Sequence, residues 1–322
     1  MAELTKRQKF AYGLGVLINS VPLNSGKINK IGFISFNRDT CNTVLRTDKG
    51  IVKAHLKNPE LTASDKEERE TDFVGGVHHL STLANIFPES YTPIRDFREI
   101  SKKEVNQKNT RFFPYSPEKI LFTITDEVKG PRLDQEKALN LPLEEKLDIS
   151  IELGEIFNFM HRGGINYNDL KPSNVILNKK DKKYHPRLFD LESAKHREEF
   201  LTIGSPEYLP PKRAMVYYRQ EKNEMLSTRS IDRGMWSNDD LDVYSFLITV
   251  YEFINGTHPQ KDIYGKTEAI DLLKLAKKRI NVEDDATYRH FFQNGFDGAY
   301  KNKKQVVKKL RNIKKNLGKN AA

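Results

Sequence analysis

The sequence predicts an α+β fold, strand-rich in its first third and largely helical afterwards, and three observations carry that expectation. Short runs of β-branched and apolar residues at 31–36, 50–57 and 120–125 lie among polar turns. Between 141 and 164, Leu147, Ile151, Leu153, Ile156, Phe157 and Met160 recur at helical intervals. Val175, Ile176 and Leu177 are followed by a charged stretch at 178–185 and then by Leu188 and Phe189, the pattern of a small hairpin.

Taken in order, residues 31–36 begin a first strand, and Gly32 is the one glycine between residues 27 and 49. The 50–57 strand places β-branched Ile51 and Val52 directly before Lys53, with Lys57 four residues later. A helix follows over 65–83. Glu70 lies on it, Val74 and Val77 are expected to face the core, and Glu67 and Glu68 belong to the same charged run. The 120–125 strand is apolar enough to be buried, and residues 126–130 form the turn after it. In the 141–164 helix Pro142 is tolerated near the start, Glu144 and Glu145 suit the first turn, and Gly163 and Gly164 end it.

The chemistry concentrates in Asn168, Asp169, Leu170, Lys171, Pro172, Ser173 and Asn174, with Asp190 further on. A hydroxyl attacking a terminal phosphate needs a proton acceptor that also orients it, which Asp169 supplies on a tight loop after a helix. Lys171 can face the same centre and offset charge on the transferred phosphoryl oxygens. Asn174 and Asp190 offer the hard oxygen ligands that magnesium prefers when phosphates complete its shell. The predicted hairpin brings these two toward one another.

This stretch resembles the catalytic loop and metal-binding motif of eukaryotic-like protein kinases, whose usual forms are HRDLKPxN and DFG. Gly204, Ser205, Pro206, Glu207, Tyr208, Leu209, Pro210 and Pro211 resemble the end of that family's activation segment, GTPEYLAPE. Asp242 to Phe246, continuing through Tyr251 to Pro259, is similar to its central helix, whose first Asp caps the catalytic-loop backbone. The resemblance implies a bilobal protein-kinase-like fold: a small β-rich lobe with an amino-terminal extension at 1–126, a larger helical lobe at 127–300, and a basic helix at 301–322. It implies ATP and Mg²⁺, transfer to Ser or Thr hydroxyls of a protein substrate, and roles for further residues. Lys53, with Lys57 as the alternative, holds the α and β phosphates, and its partner is Glu70, with Glu67 and Glu68 as rivals. Gly32 belongs to the phosphate-covering loop. Thr125 is the gatekeeper, and backbone groups around Asp126 and Val128 meet the adenine edge. Ser205 is the hydroxyl that touches the catalytic Asp and Lys, and Thr202 is a phosphorylation site.

Several positions depart from the family pattern. The phosphate-covering loop is glycine-poor, so residues 37–42 need a different loop shape. Tyr167 and Asn168 replace His and Arg before Asp169; that Arg pairs with a phosphorylated activation loop, so its absence implies activity that does not await phosphorylation. Glu192 replaces the glycine after Asp190, and Lys212 replaces the glutamate that ends the activation segment. These departures define the alternative reading, a pseudokinase or scaffold that binds partners through the fold.

With 322 residues and 37% hydrophobic content the chain can bury a sizeable core. Its single cysteine, Cys41, leaves no internal disulfide framework and suits a reducing, cytoplasmic or nuclear-type compartment, either of the source cell or of a host into which the chain is delivered. Residues 10–18 follow Lys6, Arg7 and Lys9 as in a secretory signal, but two glycines and the lack of a cleavage site favour a helix or strand packed on the small lobe. His78 and His79 read as helix surface. The net charge of +10 implies an acidic partner. The basic helix, where Lys301 to Lys319 surround Val306, Val307, Leu310, Ile313 and Leu317, either packs on the large lobe or meets an acidic protein, an anionic membrane surface or nucleic acid. The polar insertion at 213–241 reads as a surface excursion beside a protein-substrate groove.

Overall fold

Val52, Ala54 and Leu56 alternate with Lys53 and His55, so one strand presents an apolar face and a polar one. The computed structural model describes residues 6–37, 42–58, 60–86, 91, 93–101, 103, 117–196, 205–210, 238–260, 286–298, 300 and 303–320. It divides the chain into two units, Met1–Val128 and Lys129–Ala322. The described architecture is mixed α+β, with an antiparallel sheet in the first unit and mostly helices in the second.

In the first unit five strands, β1 (Ile31–Asn37), β2 (Asn42–Thr47), β3 (Gly50–Leu56), β4 (Ile94–Ile100) and β5 (Ile120–Thr125), pair in the order β1-β2-β3-β5-β4. All four pairings are antiparallel. The apolar face of β3 is sealed by α1 (Lys6–Ile18): Phe10, Ala11, Leu14, Leu17 and Ile18 recur on one helical stripe and share a core with Val52, Ala54, Leu56, Ile120, Phe122 and Ile124. The sequence expectation of a packed amino-terminal element therefore takes the form of a helix. Gly50, at φ 125°, lies so close to the Thr125 carbonyl that any Cβ would overlap it, which requires glycine where β3 begins.

The polar face of β3 looks toward α2 (Ala63–Ile86), where the rings of His55 and Phe73 lie 5.8 Å apart. The buried stripe of α2 runs through Phe73, Gly76, His79 and Leu83. Two expectations are corrected by this phase: Val74, predicted to face the core, is 39% exposed, and His79 is buried rather than on the surface. Asp96, a buried carboxylate on β4, accepts hydrogen bonds from the amides of Asn24 and Ser25 at 2.7 and 2.9 Å and so ties the segment after α1 to the sheet.

The second unit is built on α4 (Leu143–Arg162) and α5 (Asn238–Asn255), with the short α3 (Glu136–Leu139) ahead of them and α6 (Ala286–Phe296) and α7 (Lys303–Asn320) after. Residues 241–253 of α5 are buried on every side, which marks it as the central helix. Phe246 meets Phe157 of α4 at 6.2 Å between centroids, and Tyr251 meets Phe292 of α6 at 5.0 Å. The basic α7 lies along α4: Val306, Val307, Leu310 and Ile313 are buried, while Arg311 pairs with Glu155 and Lys314 with Asp148. The two helices approach over Gly154, where a Cβ would come within 2.5 Å of Val307 and 3.1 Å of Phe246.

Two small ladders complete this unit, β7 (Val175–Lys180) with β8 (Lys183–Leu188), and β6 (Ile165–Asn166) with β9 (Lys195–His196). The predicted hairpin forms, but its turn is shorter than the 178–185 stretch expected. It consists of Asp181 and Lys182, both left-handed at φ 50° and 68°, the geometry of a two-residue turn that matches strand twist. Thr202, Lys212 and residues 213–237 of the insertion lie outside the described residues, as do residues 38–41 of the phosphate-covering loop. No described helix is long and apolar enough to cross a membrane.

Candidate active site

Past the end of α4, β6 leads straight into residues 167–171, and a single carboxylate fixes that loop from beneath. Asp242, near the start of α5 and fully buried, accepts from the amide of Asn168 at 2.7 Å on Oδ1. Its Oδ2 takes the amide of Tyr167 at 2.8 Å and His161 Nε2 at 2.9 Å. Such a charge is stable in the interior because three donors converge on it. Asn168 adopts φ 69°, a conformation that asparagine tolerates better than most residues.

Above this anchor the predicted residues close into one network. Asp169 Oδ2 accepts from Lys171 Nζ at 2.8 Å and from Asn174 Nδ2 at 3.2 Å. Asp169 Oδ1 accepts from both the amide and the hydroxyl of Ser205, at 2.9 and 2.8 Å. Lys171 also donates to Ser205 Oγ at 2.7 Å. A hydroxyl thus sits between carboxylate and ammonium, donating to one and accepting from the other. Asn174 Nδ2 is also bonded to the Asp169 carbonyl at 3.0 Å, so its nitrogen is committed and Oδ1 is the atom left for a cation.

The hairpin brings Asn174 to the segment of Asp190. Val175 pairs with Leu188, and the Phe189 amide donates to the Asn174 carbonyl at 3.3 Å. Asp190 itself is left-handed, at φ 64°, and opens the short 3₁₀ turn Leu191–Ser193. Non-glycine residues are uncommon there, and aspartate is among the types that tolerate it best. Glu192 lies in this turn, and its side chain is outside the described set. Asn174 and Asp190 offer only hard oxygens, a donor set that fits Mg²⁺ if phosphates supply the rest. Among the described residues no group of three or more His, Cys, Asp or Glu forms a self-sufficient metal cage.

Ser205 is the first described residue of the 204–211 stretch that the sequence singled out, and Tyr208 in it is anchored by residues to which the sequence reading gave no role. Tyr208 donates its hydroxyl to Glu252 at 2.8 Å, Ser245 donates to the Tyr208 carbonyl at 3.0 Å, and the His258 ring stands edge-on to Tyr208 at 5.4 Å. His258 Nδ1 accepts from the Gln260 amide at 3.1 Å. Burial pushes the His258 pKa down to about 4, and burial also raises the Glu252 carboxyl above its usual range, an effect the Tyr208 bond only partly offsets.

A pH test follows. A histidine whose folded pKa is depressed lends stability that is whole above its unfolded value of about 6.5 and is lost as pH falls toward about 4. The expected slope in that window is about 1.4 kcal/mol per pH unit. Glu252 acts with the opposite sign as pH rises above 4.5. The His258 contribution is therefore read as the difference between wild type and His258→Gln in urea unfolding at pH 4 to 7.

The remaining predicted residues belong to the first unit. Lys53 lies on β3 as expected, in register with Val44 and Thr123. Glu70 does not pair with Lys53: its carboxylate takes Lys57 at 3.1 Å and Lys119. Burial raises the Glu70 carboxyl, but these two lysines outweigh that and hold it below its usual value. The cause is the direction in which β3 and α2 cross. Lys57 meets Glu70 and His55 meets Phe73, so moving back along β3 to Lys53 means moving forward along α2, and no acid occurs between Phe73 and Ile86. Gly32 is a strand residue opposite Arg46, where a Cβ would make only ordinary contact at 3.8 Å. Thr125 ends β5, Asp126 pairs with Arg95, and Val128 is half-buried.

No family model matches this chain. It is similar to curated protein kinases, three of which match it over less than half of its length. These include Serine/threonine-protein kinase PkaA of Streptomyces coelicolor, 25% identical over 164 residues, which are 48% of this chain and 26% of that protein. The cGMP-dependent protein kinase of Plasmodium berghei is 26% identical over 150 residues, 45% of this chain and 15% of its own. A protein kinase and PP2C-like domain-containing protein of Oryza sativa is 23% identical over 141 residues, 42% and 21%. The matched stretch therefore spans about a quarter or less of each of these three relatives. Distant similarity to protein kinases joins the site geometry as a second, coarser line pointing to kinase-like chemistry.

Proposed function

We propose that the chain is an ATP- and Mg²⁺-dependent protein kinase that transfers the γ-phosphoryl group to serine or threonine hydroxyls, without prior phosphorylation of its activation segment. The observation that carries this reading is the hydroxyl of Ser205 gripped between Asp169 at 2.8 Å and Lys171 at 2.7 Å. A substrate hydroxyl presented to the same pair gives its proton to Asp169 as its oxygen bonds to the γ-phosphorus and the bond to the β,γ-bridging oxygen breaks. Lys171 offsets charge on the transferred group. Asn174 Oδ1 and Asp190 are the residues that would hold Mg²⁺, whose charge would offset that of the phosphates. Lys53 is assigned to the α and β phosphates, and Thr125, Asp126 and Val128 to the adenine end.

The test is transfer of labelled γ-phosphate from Mg-ATP to the protein itself and to a generic basic substrate. Asp190→Ala is expected to abolish label incorporation to within background, a loss of about a thousandfold or more. Incorporation that persists in this variant sinks the reading.

One observation favours a second reading, in which the fold binds partners without turnover: Glu70 serves Lys57 and Lys119 rather than the phosphate lysine. Nucleotide binding by well-folded wild type with no transfer at all would select it.

A further inference from the structure

Asn168 has no part in the chemistry just assigned, yet it is buried and constrained at three points. Its backbone is left-handed at φ 69°, and its amide is held by Asp242 at 2.7 Å. Its side-chain Nδ2 reaches 25 residues along the chain to donate to the Ser193 carbonyl at 3.0 Å. Ser193 closes the 3₁₀ turn that begins immediately after Asp190. Tyr167, its neighbour, donates its hydroxyl to the Phe189 carbonyl on the other side of Asp190. Beyond the turn, Lys195 and His196 pair with Asn166 and Ile165. Asp190 is thus bracketed at residues 189, 193 and 195–196 by the stretch 165–168, and each bond is made by neutral groups.

From this geometry we infer that Asn168 is a positioning residue: its carboxamide fixes the left-handed backbone of Asp190 through Ser193, a neutral clamp that needs no phosphate on the activation segment. The inference rests on the reading of Asp190 as a Mg²⁺ ligand. It adds to that reading the device that sets the ligand's orientation. A backbone carbonyl and a side-chain amide are both present as soon as the chain folds, so the bond needs no modification to form and, between neutral groups, is expected to be insensitive to salt. Asn168 Oδ1, by contrast, is buried with no partner among the described residues. The residue keeps its position for the bond its nitrogen makes, at the expense of an unsatisfied acceptor.

Two substitutions separate backbone from side chain. Asn168→Gly keeps the left-handed conformation and the amide to Asp242 but deletes the clamp. Asn168→Asp keeps size and tolerates the same backbone, but sets a carboxylate oxygen against the Ser193 carbonyl. Amide hydrogen exchange of the full chain is followed over residues 189–196, with α4 as the internal reference. Both variants are expected to exchange about tenfold faster in that window and at wild-type rate in α4. In transfer assays KM for Mg-ATP rises about tenfold in both, with a smaller change in kcat. Phosphatase-treated wild type retains its activity.

Exchange over 189–196 within twofold of wild type in both variants overturns the clamp, whatever the transfer assay gives. Activity lost on phosphatase treatment overturns its independence of phosphate. Accelerated exchange in the variants of a wild type that transfers no phosphate leaves the clamp standing and removes the kinase reading instead.

Discussion

Replacing Asp169 by Asn is expected to lower phosphoryl transfer by roughly 10²–10⁴-fold while Mg-ATP binding stays within a few-fold of wild type. The substitution keeps shape and removes charge. Asp169 now accepts four hydrogen bonds, two on each oxygen, from Ser205, Lys171 and Asn174. An amide can accept with only one atom, and its NH₂ would face either the Lys171 ammonium and the Asn174 amide or the Ser205 amide. The variant therefore loses the proton acceptor and disorders the lysine that offsets charge. Because the side chain is mostly buried, the substitution also costs roughly 1–3 kcal/mol of stability from mismatched donors. Steady-state transfer measured beside nucleotide binding separates the two effects: a variant that binds nucleotide and transfers at wild-type rate would remove Asp169 from the chemistry.

The largest stability change is expected at Asp242. Truncation to Ala strands three donors at once, the amides of Tyr167 and Asn168 and the ring of His161, all buried. Each buried donor left without its acceptor costs roughly 1–3 kcal/mol, so a loss of at least roughly 3 kcal/mol is expected. Asp242→Asn restores one acceptor and is expected to recover part of that. Urea unfolding of the full chain orders the three proteins as wild type, Asn, Ala. An Ala variant as stable as wild type would mean that the 167–168 backbone has another support. Transfer activity should fall faster than stability along this series, because the same carboxylate that holds the loop also sets where Asp169 stands.

The parts of this molecule legible in its sequence are those whose chemistry fixes their spacing. Asp169, Lys171, Asn174 and Ser205 had to converge if any phosphoryl transfer was intended, and they do converge. The 120–125 strand was readable to the residue because an apolar run between polar turns has few other fates. The hairpin's length was misjudged because its tip is exposed, and exposed strands tolerate lysines that elsewhere signal a loop. In α2 the inner stripe includes a glycine and a histidine, so the more hydrophobic Val74 drew the predicted face a step away from Phe73. The Glu70 pairing was beyond the sequence altogether. It depends on the sense in which a helix crosses a strand, and nothing in a run of five acids between 65 and 72 records that angle. The same holds for the meeting of Tyr208, Glu252 and His258: both stretches stood out in the sequence, but the packing that joins them did not.

Gly154 carries a consequence for how the lysine-rich end of the chain can be handled. A helix with eight basic residues and no acid between 303 and 320 invites treatment as a detachable appendage, to be cut away when its role is in question. The close passage of Val307 over that glycine, and the sealed row of Val306, Leu310 and Ile313, make it a wall of the second unit instead. Deletion would strip α4 of its cover and expose a sticky apolar trench, so any partner lost or gained on truncation would report damage to the wall. Only its outward side is free to be rewritten, by exchanging Lys304, Lys308, Lys309 and Lys315 for glutamine in place.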